Sequence, residues 1–351
     1  MRHRDGSAIQ YLSTDYRGPM NQTEESLLIR VEGRLGRITL NRPRQINALT
    51  LPMIDGIRAA LAGWADDPAV DVVLIDGAGE RGLCAGADIR ALRQSILDGS
   101  DEAMTFLADE YVMNKALADY PKPIVADQRG ITFGGGLGVS AHCSVRIVAE
   151  DSQLAMPETL IGLWPDVGIL HLLGRSPGQL GVHAALIGAR LDAGDAIRAG
   201  LADHFVPADA RPALLDALRA GVVPEFAGPP PAGALQQASW IDECYAFDTA
   251  EEILSALLAH PDPAAQAAGQ ALAGMAPLSV KVTLRAVRAA ASMTLAQVLA
   301  QDLRFAAHFM ARPDLPEGIR AQVVDKDRNP RWQPARLADV SDADVDAFFT
   351  G

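Results

Sequence analysis

Apolar and polar positions change period several times along the chain, and each change marks an element. Positions 27–31 and 35–40 alternate on either side of Gly33, the pattern of a half-buried hairpin. Positions 51–65 switch to a helical period, with Ile54, Ile57, Leu61 and Trp64 on one face and Asp67-Pro68 as the stop. Positions 70–76 are almost continuously apolar, as expected of a strand buried on both sheet faces. After the glycine-rich stretch 77–86, a helix is expected from about Asp88, and another over 101–120, ended by Pro121 and Pro123. Positions 124–127 and 145–149 are short strands. Helices over 180–188 and 193–201 precede a short strand at 204–206. Strands interleaved with helices predict an α/β layered domain with crossovers. Gly228-Pro-Pro-Pro-Ala-Gly233 is the clearest linker signal. Beyond it the period stays helical over 249–258, 264–275, 279–290 and 295–311, the last with Leu299, Leu303 and Ala306 on one face. The tail 325–351 is polar and mixed. The expected organisation is a polar N-terminal extension over 1–22, an α/β core over 23–227, and a linker with a helical region over 228–351.

Composition narrows the function classes. The 351 residues suffice for a sizeable core, but aromatics are only 5 %, so Ala, Leu, Val and Ile must fill most of it. A formal net charge of −13 with no long basic run argues against nucleic acid as a partner. Cys84, Cys143 and Cys244 are widely spaced and form no CxxC, which points to a reducing compartment, taken as the cytoplasm, and to neither a disulfide framework nor a zinc site. No run of 18 apolar residues is present, so no membrane span is expected. Residues 1–22 lack the apolar segment of a secretory signal.

Three readings compete for Ile131-Thr-Phe-Gly-Gly-Gly-Leu-Gly-Val-Ser140. Gly136-Leu-Gly138-Val-Ser-Ala141 fits a dinucleotide fingerprint, with Glu158 lying 20 residues beyond Gly138, but such a turn opens directly from its strand and here residues 128–133 intervene. The glycines can instead serve close packing or a positive φ. The third reading is an oxyanion hole: side-chain-free N–H groups at a helix start, aimed at a carbonyl oxygen. Cys84-Ala-Gly-Ala-Asp88, a second turn of small residues, can supply the other donor. Downstream, Met156-Pro-Glu-Thr-Leu-Ile-Gly-Leu-Trp-Pro-Asp-Val-Gly168 carries Glu158 and Asp166 on one Gly/Pro-punctuated segment. A polarised carbonyl with paired carboxylates is the equipment of acyl chemistry. Ser140 lacks the G-x-S-x-G frame of a nucleophilic serine. His142 has no partner at metal-ligand spacing and reads as a packed side chain.

With those motifs in place, the chain resembles the crotonase (enoyl-CoA hydratase/isomerase) superfamily. Leu40-Asn-Arg-Pro-Arg-Gln-Ile-Asn-Ala-Leu49, Leu83-Cys-Ala-Gly-Ala-Asp-Ile89 and the two segments just described carry the likeness. Pro277-Leu-Ser-Val-Lys-Val-Thr-Leu-Arg285 and Glu317-Gly-Ile-Arg-Ala-Gln-Val-Val-Asp-Lys-Asp-Arg-Asn-Pro-Arg-Trp-Gln-Pro334 are similar to its 3-hydroxyisobutyryl-CoA hydrolase branch. The resemblance implies a ββα spiral core with a C-terminal helical region and an acyl-CoA thioester substrate. It implies no separate cofactor or metal, and a homo-oligomer, trimer or hexamer. It also implies oxyanion donors at Ala87 and Gly135, adenine against the backbone around Ala85, Ala87 and Ile89, Arg90 near a CoA phosphate, and Glu110 as an acidic substrate contact. Hydratases of the superfamily carry one catalytic Glu two residues after the triple glycine, where this chain has Gly138. Their other Glu matches Glu158. Eight residues further on, where they have Gly after Pro, this chain has Asp166. A lost Glu with a gained Asp is the hydrolase pattern. The stretch Ile169-Leu-His-Leu-Leu-Gly174 departs from the small and aromatic residues usual there, so His171 and Leu172 are expected to reshape the acyl pocket.

The chemistry favours the same reading. Adding water across a C=C bond needs proton delivery and water activation on one face, and Gly138 cannot share that work. Thioester hydrolysis needs a polarised carbonyl and one carboxylate, with each fixed N–H stabilising the nascent oxyanion by roughly 3 kcal/mol. Glu158 can attack directly or activate a water. Asp166 can orient that water or hold a substrate hydroxyl, and neighbouring carboxylates should spread in pKa. The expected activity is hydrolysis of a short 3-hydroxyacyl-CoA, first among them 3-hydroxyisobutyryl-CoA of valine breakdown. Two alternatives stay open: an enoyl-CoA hydratase or isomerase with Glu158 as sole catalytic carboxylate, and an acyl-CoA binding protein without turnover. Lys326, between Asp325 and Asp327, is either a rim residue or a CoA-phosphate contact.

Overall fold

Two stacked strand systems organise the N-terminal half of the computed structural model, which describes residues 25–226, 228 and 230–350. The extension expected over 1–22 lies outside the described residues. The main sheet has the order β1-β2-β3-β4-β6-β8. Its strands are β1 (Leu27–Glu32), β2 (Leu35–Leu40), β3 (Val72–Gly77), β4 (Ile124–Asp127), β6 (Val145–Val148) and β8 (His204–Phe205). Only the β1–β2 hairpin is antiparallel; the other neighbours are parallel. A second, smaller pair joins β5 (Ile131–Phe133) to β7 (Gln153–Ala155) in parallel. Single bridges extend that pair at both sides, Cys84 to Thr132 and Leu154 to Leu191. Successive ββα units therefore give one strand to each layer.

The expected burial of β3 on both faces is observed, since all six of its residues are buried. Side chains alternate across a strand, so Val73 and Ile75 join the large core while Val72 and Leu74 join a smaller cluster on the other face with Leu214 and Leu218. Those two leucines belong to the helix Arg211–Arg219, which the sequence reading passed over. The strands β5 and β7 were also unread, because three residues give too few positions to show a period.

Three helices lead to the site: α1 (Leu51–Trp64), which packs on β1 and β2, α3 (Glu102–Ala118), which packs on α1, and α2 (Ile89–Asp98), which packs on α3. A fourth, α4 (Gly135–Gly138), is a single turn. The stretch after 228 is helical as expected and shares one continuous core with the α/β part, from Ile38 to Phe348. The chain just after the linker is pinned: Ala234 and Leu235 donate their N–H groups to the carboxylates of Asp192 and Asp195. The polar tail contains one more helix, Asp342–Phe349, opened by a Ser341/Asp344 capping box and anchored by Val345 and Phe348. No helix among the described residues is long and apolar enough to cross a membrane.

Candidate active site

Two backbone turns meet behind the first glycine cluster. Leu49 bridges the 83–88 turn through Leu49 N–H to Gly86 O at 2.8 Å and Asp88 N–H to Leu49 O at 3.0 Å. That register leaves the Ala87 N–H on the opposite side. Gly134, at φ +51°, delivers the chain into α4, and Gly135 is the first residue of that helix. A first-turn N–H has no intrahelical acceptor, and neither the Ala87 nor the Gly135 N–H has a backbone acceptor among the described residues. A Cβ placed on Gly135 would lie 3.4 Å from Ala87 N, so the two amides line the same space.

Three carboxyl groups surround this space. Glu158 opens the 3₁₀ turn Glu158–Ile161 and is buried, with Oε2 unpartnered. Glu110 comes from α3, is 1 % exposed, and leaves Oε1 unpartnered. A Cβ on Gly134 would sit 2.7 Å from Glu158 Oε1, and one on Gly135 would sit 2.5 Å from Glu110 Oε1. Bare glycines at 134 and 135 thus let two carboxyl groups approach the donors. Asp166 is buried, and its Oδ2 accepts a hydrogen bond from the Tyr111 hydroxyl at 2.8 Å.

The electrostatics follow from this crowding. Burial, then the nearby Asp166, pushes Glu110 and Glu158 well above the usual carboxylate range. Asp166 is pushed up by burial to about 6 only, because the Tyr111 hydroxyl supports its charged form. The spread expected of neighbouring carboxylates is therefore present, and Asp166 is the first of the three to ionise. Tyr111 itself is held protonated by burial and by Asp166.

Asp166 rides on a loop, 164–168, that is held from outside. Val167 sits at φ +51°, a conformation that costs a β-branched residue on the order of 1–3 kcal/mol. The loop is kept there by Trp164 Nε1 donating to Asp302 Oδ1 and Gly168 N–H donating to Asp302 Oδ2, both at 2.8 Å. His142 Nε2 bonds Val167 O at 2.7 Å, and burial lowers that imidazole to about 4, so it donates as a neutral ring. His142 is thus a packed loop support, as read. The Val167 side chain and Asn114 Nδ2 lie 3.0 Å and 3.1 Å from where a Cβ on Gly138 would be, so the space of a side chain at 138 is already filled.

Ala85, Ala87, Ile89, Glu110, Gly135, Glu158 and Asp166 all line one cavity of about 220 Å³. Arg90 does not. It is exposed and donates from Nη2 to Val323 O at 2.6 Å, and Val323 forms part of the wall in its place. His171 and Leu172 are also off the wall; His171 is bonded at Met293 O, and the apolar lining comes from residues such as Leu107, Leu160 and Leu163. Sequence reasoning missed Tyr111 and Asp302. Tyr111 follows Glu110 on α3 and looked like ordinary core. Asp302 is 0 % exposed whereas Leu303, placed on the apolar face by period, is 44 % exposed. Leu299 and Ala306 of the helix Leu295–Met310 are buried as expected, and Asp302 rather than Leu303 fills the place between them. Among the described residues no group of three His, Cys, Asp or Glu side chains is arranged to hold a metal ion.

Comparison with known proteins places this site in context. A family model described as enoyl-CoA hydratase/isomerase matches residues 35–349. The chain is 39 % identical to the mitochondrial 3-hydroxyisobutyryl-CoA hydrolase of Rattus norvegicus, across 93 % of this chain and 89 % of that protein. Among solved structures, a carnitinyl-CoA dehydratase from Mycobacterium thermoresistibile superposes with a TM-score of 0.89 at 46 % identity, covering 93 % of this chain and 97 % of that one. An enoyl-CoA hydratase from Rhodobacter sphaeroides gives 0.89 at 42 % identity, covering 92 % and 97 %. These relatives share an architecture, while their names divide between cutting a thioester and moving water on a carbon chain.

Proposed function

The chain belongs to the enoyl-CoA hydratase/isomerase family, and from that premise we propose that it hydrolyses the thioester of a short 3-hydroxyacyl-CoA, with 3-hydroxyisobutyryl-CoA as the leading substrate. One observation carries this choice between the two chemistries. Glu158 and Asp166 share a cavity with two unpaired amides, while position 138 is a glycine whose side-chain space Val167 and Asn114 occupy.

The proposed reaction starts with the thioester oxygen between the N–H groups of Ala87 and Gly135. These donors are preorganised for the charge that develops as the carbonyl carbon becomes tetrahedral. Glu158, beside the Gly134–Gly135 peptide, delivers the attack, as nucleophile or through a water. A C–O bond forms, the C–S bond breaks, and the thiolate of CoA leaves as a thiol after taking a proton; where the new bond is to Glu158, a water then cleaves the mixed anhydride, releasing the hydroxy acid and restoring the Glu158 carboxyl group. The carboxyl cluster supplies that proton, because its members cannot all be ionised at neutral pH. Asp166 then faces the acyl group, where a 3-hydroxyl can donate to its carboxyl group, while the Tyr111 proton stays committed to Asp166 from behind. The apolar wall of Leu107, Leu160 and Leu163 beside Asp166 suits a short branched acyl group.

The dehydratase and hydratase names of the structural relatives make water addition the competing reading. Thiol release from 3-hydroxyisobutyryl-CoA, measured beside loss of the enoyl absorbance of crotonyl-CoA, decides between them. Thiol release without hydration is expected; rapid hydration without thiol release reverses the assignment. Glu158→Gln should still bind the thioester and lose about 10²–10⁴-fold in kcat; a wild type as inert as the variant would favour a binding protein.

Two further features belong to the same proposal. We infer a homo-oligomer, trimer or hexamer, which sedimentation will test. The cysteines are free and buried, which supports a reducing compartment; cell fractionation separates the cytoplasmic placement from the mitochondrial one named for the rat relative.

A further inference from the structure

Asp302 lies outside the cavity wall, yet it holds the loop on which Asp166 is displayed. Its two oxygens accept from Trp164 Nε1 and from the Gly168 amide, at 2.8 Å each. These donors stand two residues before and two residues after Asp166, so one carboxyl group closes the loop like a clasp. Inside the clasp Val167 is left-handed at φ +51°. Released from the clasp, a β-branched residue would relax toward negative φ and swing the neighbouring peptide. Asp166 would then leave the Tyr111 hydroxyl, which receives it at 2.8 Å. The clasp is fully buried and comes from the helix Leu295–Met310, which packs across α3, the helix of Glu110 and Tyr111. Trp164 is wedged in place by stacking on Phe309 of that same helix, ring centroids 5.0 Å apart.

We propose that Asp302 is a positioning residue for the reaction: it holds the strained 164–168 loop so that the Asp166 carboxyl faces Tyr111 and the cavity. This rests on the hydrolase reading above. An ordinary buried acceptor would satisfy donors of fixed secondary structure; this one satisfies the two ends of an irregular, strained turn that carries a candidate catalytic group.

Asp302→Asn keeps the shape but turns an acceptor into an NH₂ group facing an N–H donor. Its kcat for 3-hydroxyisobutyryl-CoA should fall about 10²-fold, the expected effect of moving a reacting group by about 1 Å, with KM changed less than about threefold. The indole N–H proton resonance of residue 164, assigned by its loss in Trp164→Phe, should move in the same variant. Val298→Ala removes buried volume from the same helix and leaves both clasp hydrogen bonds in place, and should keep kcat at temperatures below its own Tm. The inference is overturned if Asp302→Asn keeps wild-type kcat, or if Val298→Ala loses kcat to the same degree. If Asp302→Asn does not fold, Trp164→Phe carries the test: it retains the aromatic ring and deletes one donor, so a loss of about tenfold in kcat is expected, and full activity overturns the idea. A wild type that releases no thiol would end the hydrolase reading alone, since the indole resonance reports the clasp without turnover.

Discussion

Three carboxyl groups share one dry site, and they do not ionise alike. Glu110 and Glu158 each keep an oxygen without a partner, whereas Asp166 receives the Tyr111 hydroxyl. Asp166 therefore takes the first negative charge, at about pH 6. Below that pH it is protonated; above it the coupled cluster holds one charge, which a proton shift from Glu158 to Asp166 brings to the attacking carboxylate. The expected profile of log kcat/KM rises as pH increases through about 6 and then levels. Asp166→Asn should abolish that limb, and a limb unchanged in the variant would assign it to another group. Glu158 and Asp166 stood out in the sequence on a Gly/Pro-rich segment, and the family resemblance pointed to the Ala87 and Gly135 amides; the structure brings all four to one cavity. Tyr111 and Asp302 did not stand out. Each occupies a helix position that a period-based reading assigns to core or to solvent, and only the third dimension brings them to residue 166.

At the scale of elements, the site depends on very short pieces of structure. The single turn α4 has little stability of its own and is fixed by what surrounds it: Gly134 N–H reaches Ala155 O in β7 at 3.1 Å, and Phe133 N–H reaches Cys84 O at 2.9 Å. The second strand layer thus sets the turns of Ala87 and Gly135, the proposed oxyanion donors, in register, through the Cys84–Thr132 bridge on one side and β7 on the other. This layer was invisible to hydrophobic periodicity, while the longer β2, β3 and α3 were not, because six or more residues are enough to show alternation or its absence. A methyl group on α4 tests the arrangement. Gly135→Ala places a Cβ 2.5 Å from Glu110 Oε1 and 3.4 Å from Ala87 N. The new group must push Glu110 aside and narrow the space for the thioester oxygen. A loss of about 10²–10³-fold in kcat is expected, the scale for removing one oxyanion donor, with far-UV circular dichroism unchanged. A variant with near-normal kcat would mean that the oxygen binds elsewhere.

Across the whole molecule, the helices after 228 are part of the site and not an appendage to it. The helix Asp314–Ile319 packs so closely on the Glu158 turn that a Cβ on Gly318 would meet Ile161 O at 2.4 Å. Val323 closes the cavity, and Asp302 holds the Asp166 loop. The last helix reaches the same loop through rings: Phe348 lies 4.6 Å from Phe309 and 5.6 Å from Phe305, and Phe309 stacks on Trp164. The polar composition of the tail concealed this role, since a few apolar side chains, Val340, Val345 and Phe348 with Phe349 beside them, anchor it. Phe348→Ala would leave a cavity at the far end of that chain of contacts. A destabilisation of about 3–5 kcal/mol is expected for a buried phenylalanine, and a Tm lower by roughly 6 °C or more. Because Trp164 loses the support behind Phe309, thiol release below the new Tm should fall as well, by less than in Asp302→Asn, where the clasp itself is broken. A variant with lowered Tm and undiminished kcat would show that the tail supports the fold without reaching the loop.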